Sequence, residues 1–134
     1  MSWFGKAASF DNTEAMFNVG VLYRDGLGVP VNYAEAMKWF RKAAGEGDDI
    51  AANAIGVLYQ QGLGISVDYA EAMSWYRRAA DAGNDAAMYN IGALWEAGLG
   101  VPEDREQAIA WYRKAATAGN EPAKAALKSL GVKD

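Results

Sequence analysis

Residues 48–83 read DDIAANAIGVLYQQGLGISVDYAEAMSWYRRAADAG, and the same pattern recurs 36 residues earlier and 36 residues later. Gly20, Gly56 and Gly92 fall in step, as do Trp39, Trp75 and Trp111, and Gly47, Gly83 and Gly119. A Gly-Leu-Gly triplet returns at residues 26–28, 62–64 and 98–100. Self-similarity at a fixed period of this size marks stacked supersecondary units. Full units span residues 12–47, 48–83 and 84–119. Residues 1–11 align Trp3-Phe4-Gly5-Lys6-Ala7-Ala8 with Trp39-Phe40-Arg41-Lys42-Ala43-Ala44 and read as a partial second helix. Residues 120–134 read as a C-terminal capping helix, and the whole of 1–134 as a single domain.

Within each unit the periodicity predicts two helices. Ala15, Val19, Leu22 and Tyr23 recur at i, i+4, i+7 and i+8, one apolar face of a first helix. Asn12, Asp48, Asn84 and Asn120 stand at its N-cap, where a short polar side chain satisfies free backbone N–H groups. Gly26 and its equivalents stop it. The second helix opens on a capping-box pattern, Asn32 with Glu35, Asp68 with Glu71, Asp104 with Gln107. It buries Ala36, Trp39, Phe40, Ala43 and Ala44, and it ends in basic residues such as Arg41 and Lys42 that complement the helix dipole. The expected fold class is therefore all-α: an α-solenoid of antiparallel helix–turn–helix repeats, three full and two partial.

A glycine in mid-helix costs about 1 kcal/mol relative to alanine. Its recurrence at 20, 56 and 92 predicts close approach of a neighbouring helix, with the tryptophan filling the space beside it. Lys128 takes the equivalent place in the last unit and Lys124 replaces Met16 or Met88, which reads as a solvating end-cap. At the other end, Trp3 and Phe4 would leave apolar surface to cover.

Composition narrows the function. The 134 residues are 51% hydrophobic and 22% charged, with a formal net charge of -4 and a pI near 4.8. Nucleic-acid binding draws its affinity from neutralised phosphates and normally needs a basic face, so this balance argues against DNA, RNA and anionic membranes. Cysteine and histidine are absent, which removes thiolate chemistry, the commonest general base and the commonest transition-metal ligand. No apolar run is long enough to span a bilayer. The first ten residues lack a basic start and a long apolar stretch, so the expected location is cytoplasmic by default, with export by another route left open. The Gly-Leu-Gly loops lack the third glycine and the strand of a dinucleotide fingerprint and read as turns. No calcium loop of the D-x-D-x-D-G type occurs. No cofactor or metal is expected.

The repeats stop agreeing along one stripe of the first helices. Phe17, Asn18, Val21 and Arg24 are replaced by Asn53, Ala54, Val57 and Gln60, and then by Tyr89, Asn90, Ala93 and Glu96. Packing fixes the core positions, whereas a varied and partly apolar stripe suits a surface matched to one ligand; a merely tolerated surface is the bland alternative.

These residues resemble the Sel-one-like repeat family, a branch of the tetratricopeptide-type α-solenoids. The resemblance is carried by Ala51, Gly56-Val57-Leu58-Tyr59 and Gly62-Leu63-Gly64-Ile65, followed by Asp68, Ala72, Trp75-Tyr76, Ala79-Ala80 and Gly83. It covers nearly the whole chain, with Trp95 and Phe40 as small departures. It implies a right-handed superhelix whose concave face is lined by first helices, and a role as adaptor or scaffold. Related tetratricopeptide domains use a first-helix asparagine to touch bound peptide, a role that only Asn18 and Asn90 could carry here. Cysteine-rich members bind penicillin-type ligands; their cysteine framework is absent, so nothing is carried over from them.

Three functions stay open at this point. The first is a scaffold that binds a protein or peptide on the concave stripe of Phe17, Asn18, Val21, Arg24, Asn53, Val57, Gln60, Tyr89, Asn90 and Glu96. The second is a self-associating module, or a fragment of a longer array, with monomer or weak association through the N-terminal end. The third, an enzyme or small-molecule binder built on carboxylates, is the least favoured, because Glu35, Glu71 and Asp104 already have capping roles.

Overall fold

The computed structural model describes residues 13–132; the first-helix cap at Asn12, the partial helix at 1–11 and the terminal Lys133 and Asp134 lie outside them. The described residues form seven helices: α1 (Thr13–Asp25), α2 (Tyr33–Gly45), α3 (Asp49–Gln61), α4 (Tyr69–Asp81), α5 (Asp85–Ala97), α6 (Arg105–Thr117) and α7 (Glu121–Ser129). Each packs on its chain neighbour, first against second helix within a repeat and second against first helix of the next.

The caps form where the spacing places them. Asp48 Oδ1 accepts from the backbone N–H groups of Ile50 and Ala51, Asn84 from Ala87 and Asn120 from Ala123. Asn32, Asp68 and Asp104 cap the second helices by accepting from Glu35, Glu71 and Gln107. Of the capping-box carboxylates, Glu35 turns to Lys38 at 3.0 Å. First helices end at a left-handed residue, as at Gly62 with φ 67°, and Leu63 N–H then bonds Leu58 C=O at 3.0 Å. The turn closes when the N-cap of the second helix donates to a first-helix carbonyl, as Asp68 N–H does to Tyr59 C=O.

The core repeats as faithfully as the sequence. Val19, Ile55, Ile91 and Leu127 are buried in register, flanked by the alanines at 51, 87 and 123 and at 43, 79 and 115. Alanine at these places lets helix axes approach closely.

One expectation is corrected. The residue against each mid-helix glycine is not the tryptophan but the aromatic that follows it. A Cβ on Gly20 would lie 2.5 Å from Phe40 Cε1, one on Gly92 would lie 2.7 Å from Tyr112, and Gly56 stands equally close under Tyr76. Phe40, Tyr76 and Tyr112 are the fully buried rings, whereas the tryptophans are only partly buried against the core. Trp and its successor differ by ~100° around a helix; both fit a broad apolar face, but only the second points at the partner helix. The tryptophans support cations instead: Lys42 lies 4.5 Å from the Trp39 ring and Lys114 4.6 Å from Trp111. Trp75 meets Arg78 of its own repeat at 5.0 Å and Arg41 of the preceding one at 5.6 Å.

Adjacent repeats are also tied by polar bonds, most of which span about one period. Asn84, while its Oδ1 caps α5, donates its Nδ2 to Asp49 at 3.0 Å. Asn120 does the same to Asp85 at 3.0 Å, and is itself 9% exposed. Arg41 donates to the Tyr59 hydroxyl at 2.6 Å, and Arg78 to the Ala44 carbonyl at 2.9 Å. The Gly-Leu-Gly loop rests on the preceding repeat as well: Gly64, at φ 73°, lies against Tyr33, where any side chain would collide.

Candidate partner-binding groove on the first-helix face

Because each helix packs chiefly on its chain neighbours, the first helices α1 and α3 run side by side with a groove between them. One half is a cleft of 390 Å³ lined by Phe17, Arg24, Asn53, Ala54, Val57 and Leu58, with Tyr33, Leu63, Gln61 and Asp25 at its edge. The other half, 530 Å³, is lined by Phe17, Asn18, Thr13 and Glu14 on one side and by residues 46–50 on the other. Phe17 and Ile50 line both halves. Phe17 is half-buried and held by the Phe40 ring at 5.5 Å between centroids. Ile50 is 54% exposed.

The N-terminal part of the stripe therefore comes together: Phe17, Asn18, Arg24, Asn53 and Val57 share this groove, with Val21 half-buried beside them. Arg24 is bound at 2.9 Å to Asp25, which draws the Asp25 carboxyl below its usual range, and it lies 5.8 Å from the Phe40 ring.

The rest of the stripe is engaged in the protein's own packing. Gln60 accepts a hydrogen bond from the Tyr76 hydroxyl at 2.5 Å, and Glu96 accepts one from Tyr112 at 2.6 Å. Burial pushes both phenols well above the ordinary tyrosine range, and the Glu96 carboxylate adds to the effect at Tyr112. Tyr89 packs on Tyr112 at 5.5 Å. Asn90 Nδ2 donates to Asn53 Oδ1 at 3.0 Å, linking α5 to α3 across the face rather than standing free.

Ile50 did not stand out in the stripe, yet the sequence holds a signal for it. Its equivalents are Glu14, Ala86 and Pro122, so a large apolar residue in the first helical turn, off the core face, is peculiar to the second repeat. Among the described residues no group of acidic side chains is arranged to hold a metal, and no helix is long and apolar enough to cross a membrane.

The sequence profile of the Sel1 repeat matches residues 13–48, 49–84 and 85–120. The chain belongs to the Sel1 repeat family. Sel1 repeats are generally non-enzymatic protein–protein interaction modules. Among solved structures, the chain is similar to a Sel1 repeat protein from Oxalobacter formigenes, with 40% identity over 94% of this chain and a TM-score of 0.88. A protective antigen present in uropathogenic Escherichia coli strains, which displays the same repeat fold, is 38% identical over 98% of the chain with a TM-score of 0.89. This chain spans 51% of the first and 29% of the second. Helicobacter pylori cysteine-rich protein B, at 20% identity, shares the fold, with a TM-score of 0.72 over 94% of this chain and 90% of that one. No curated protein sequence matches the chain significantly.

Proposed function

We propose that this Sel1 repeat array is a scaffold that takes a segment of a partner protein into the groove between α1 and α3. The observation that carries this reading is Ile50. A large aliphatic side chain more than half exposed stands beside a half-buried phenylalanine on a cleft whose walls also offer the amides of Asn18 and Gln61. Interfaces gain most of their energy from a few large apolar anchors seated in pockets, with side-chain amides at the rim fixing the bound backbone.

Placing a photo-crosslinking benzoylphenylalanine at Ile50, and in a second variant at the exposed Ser74 on the second helix α4, tests the reading. Partner protein crosslinked from position 50 and not from position 74 supports it. Crosslinking from 74 alone moves the binding surface to the second helices and overturns it.

A further inference from the structure

The groove has a chemical polarity. In the half containing Leu63 and Tyr33 the only charges among the described residues are Arg24 and Asp25, which neutralise each other. The half containing Thr13 is lined by Glu14, Glu46, Asp48 and Asp49, with no cation among the described residues on its walls. Two of these carboxylates are committed. Asp48 caps α3, and Asp49 accepts from Asn84. Glu14 and Glu46 are exposed, and among the described residues no lysine or arginine pairs with either.

This acidity belongs to the face and does not merely reflect the net charge of the chain. The first helices α1, α3 and α5 carry Glu14, Asp25, Asp49, Asp85 and Glu96 against Arg24 alone. The second helices α2, α4 and α6 carry twice as many cations as carboxylates, among them Arg41, Lys42, Arg77 and Arg78. A solenoid with one acidic and one basic face directs cationic partners to the first and repels them from the second. α1 is ~20 Å long, room for about six residues of extended chain.

Resting on the groove reading above, we propose that the partner segment is basic and amphipathic: one or two Lys or Arg side chains over Glu14 and Glu46, followed by a large apolar side chain between Phe17 and Ile50 and along Val57. Apolar contact would supply the affinity, and the two carboxylates the direction in which the segment lies. Exposed pairs contribute modestly to stability in isolation, but like-charge placement against an acidic segment discriminates strongly.

A random dodecapeptide display library is the probe, selected on the whole chain and, in parallel, on a Glu14→Lys/Glu46→Lys variant and on Ile50→Ser. Circular dichroism should show all three folded alike, since the substituted side chains are exposed. The proposal expects peptides with net positive charge and a large apolar residue on the parent. It expects a pool shifted to net negative charge on the double-lysine variant, and loss of the parent's pool on Ile50→Ser. A parent-selected peptide should lose about tenfold in affinity on the double-lysine variant. A neutral or acidic pool that is lost on Ile50→Ser overturns the basic partner and leaves the groove standing. A pool indifferent to Ile50→Ser, or no enrichment on the parent, overturns both readings.

Discussion

The Tyr112 hydroxyl donates to Glu96 at 2.6 Å, and one period earlier Tyr76 donates to Gln60. In the first repeat the ring is Phe40, which has no hydroxyl, and the residue that would accept is Arg24, which lies against the ring instead. The three pairs vary together. Where the aromatic carries a donor its partner is an acceptor, and where it carries none its partner is a cation. Part of the variation along the first-helix stripe is therefore internal matching, independent of any ligand.

A double-mutant cycle checks this matching. Phe40→Tyr alone leaves a new hydroxyl facing Arg24, and Arg24→Glu alone loses the ring contact and the pair with Asp25. Together they rebuild the Tyr112–Glu96 arrangement. The expected coupling is favourable and about 1 kcal/mol, the net worth of such a bond in a partly exposed setting. Additive effects in urea melts would show that the covariation is accidental.

Gly56→Ala should destabilise, although alanine is the better helix former by about 1 kcal/mol. The added methyl meets the Tyr76 ring, which is fully buried and has nowhere to swing. Overpacking of this kind costs about 1–3 kcal/mol, so the melting temperature should fall by roughly 5 °C. A rise on thermal melting would mean that the ring yields at no cost.

Trp95 holds the place of Tyr59 in the next repeat, and its indole N–H is buried with no hydrogen-bond partner among the described residues. Tyr59 accepts from Arg41. By the 36-residue register the cation facing Trp95 is Arg77, another donor, so the two cannot pair. Trp95→Tyr should restore the bond, whereas Trp95→Phe only removes the orphan. The tyrosine variant is expected to be the more stable of the two by about 1 kcal/mol; equal melting points would remove Arg77 from the account.

The buried phenols set the alkaline limit. Tyr76 and Tyr112 have folded pKa values raised above the ordinary 10.0. Their contribution is fully present below about pH 10 and is lost as pH climbs toward the folded values, because the unfolded chain releases those protons first. Ellipticity followed to pH 12 should show a midpoint that moves to higher pH in Tyr76→Phe/Tyr112→Phe, even though that variant is less stable at neutral pH. An unmoved midpoint would assign alkaline unfolding to other groups.

The helices, their caps and the core register were legible because each depends on contacts that are local or repeat at one fixed spacing. Asp48, Asp68 and Asn84 needed only their own neighbours in sequence to be placed. The partner of Gly56 was not legible in the same way. Trp75 and Tyr76 sit on one apolar face, and only the direction of the helix axis decides which of them reaches the glycine. The ties from Asn84 to Asp49 and from Asn90 to Asn53 were hidden for a different reason. Each asparagine already had a sufficient explanation, as a cap or as a binding residue, and a second bond across the period leaves no mark in either stretch. The groove was half legible: disagreement between repeats marks Phe17, Asn18, Asn53 and Val57, while Ile50 lies one turn beyond that stripe.

The amide ties are not spread evenly along the array. The seam between α3 and α5 has two, from Asn84 and Asn90, and the seam between α5 and α7 has one, from Asn120. At the seam between α1 and α3 the cap is Asp48, a carboxylate with no N–H to give, and the residue across from it is Thr13; no side-chain bond joins them among the described residues. In a linear array stability is the sum of each unit and its seams; here no amide joins the two first helices among the described residues, and the repeats are held instead by arginines, Arg41 to the Tyr59 hydroxyl and Arg78 to the Ala44 carbonyl. The groove lies along that same seam. A segment seated there would act as the missing fastener, so that capture of a partner and stiffening of the first repeat become one event.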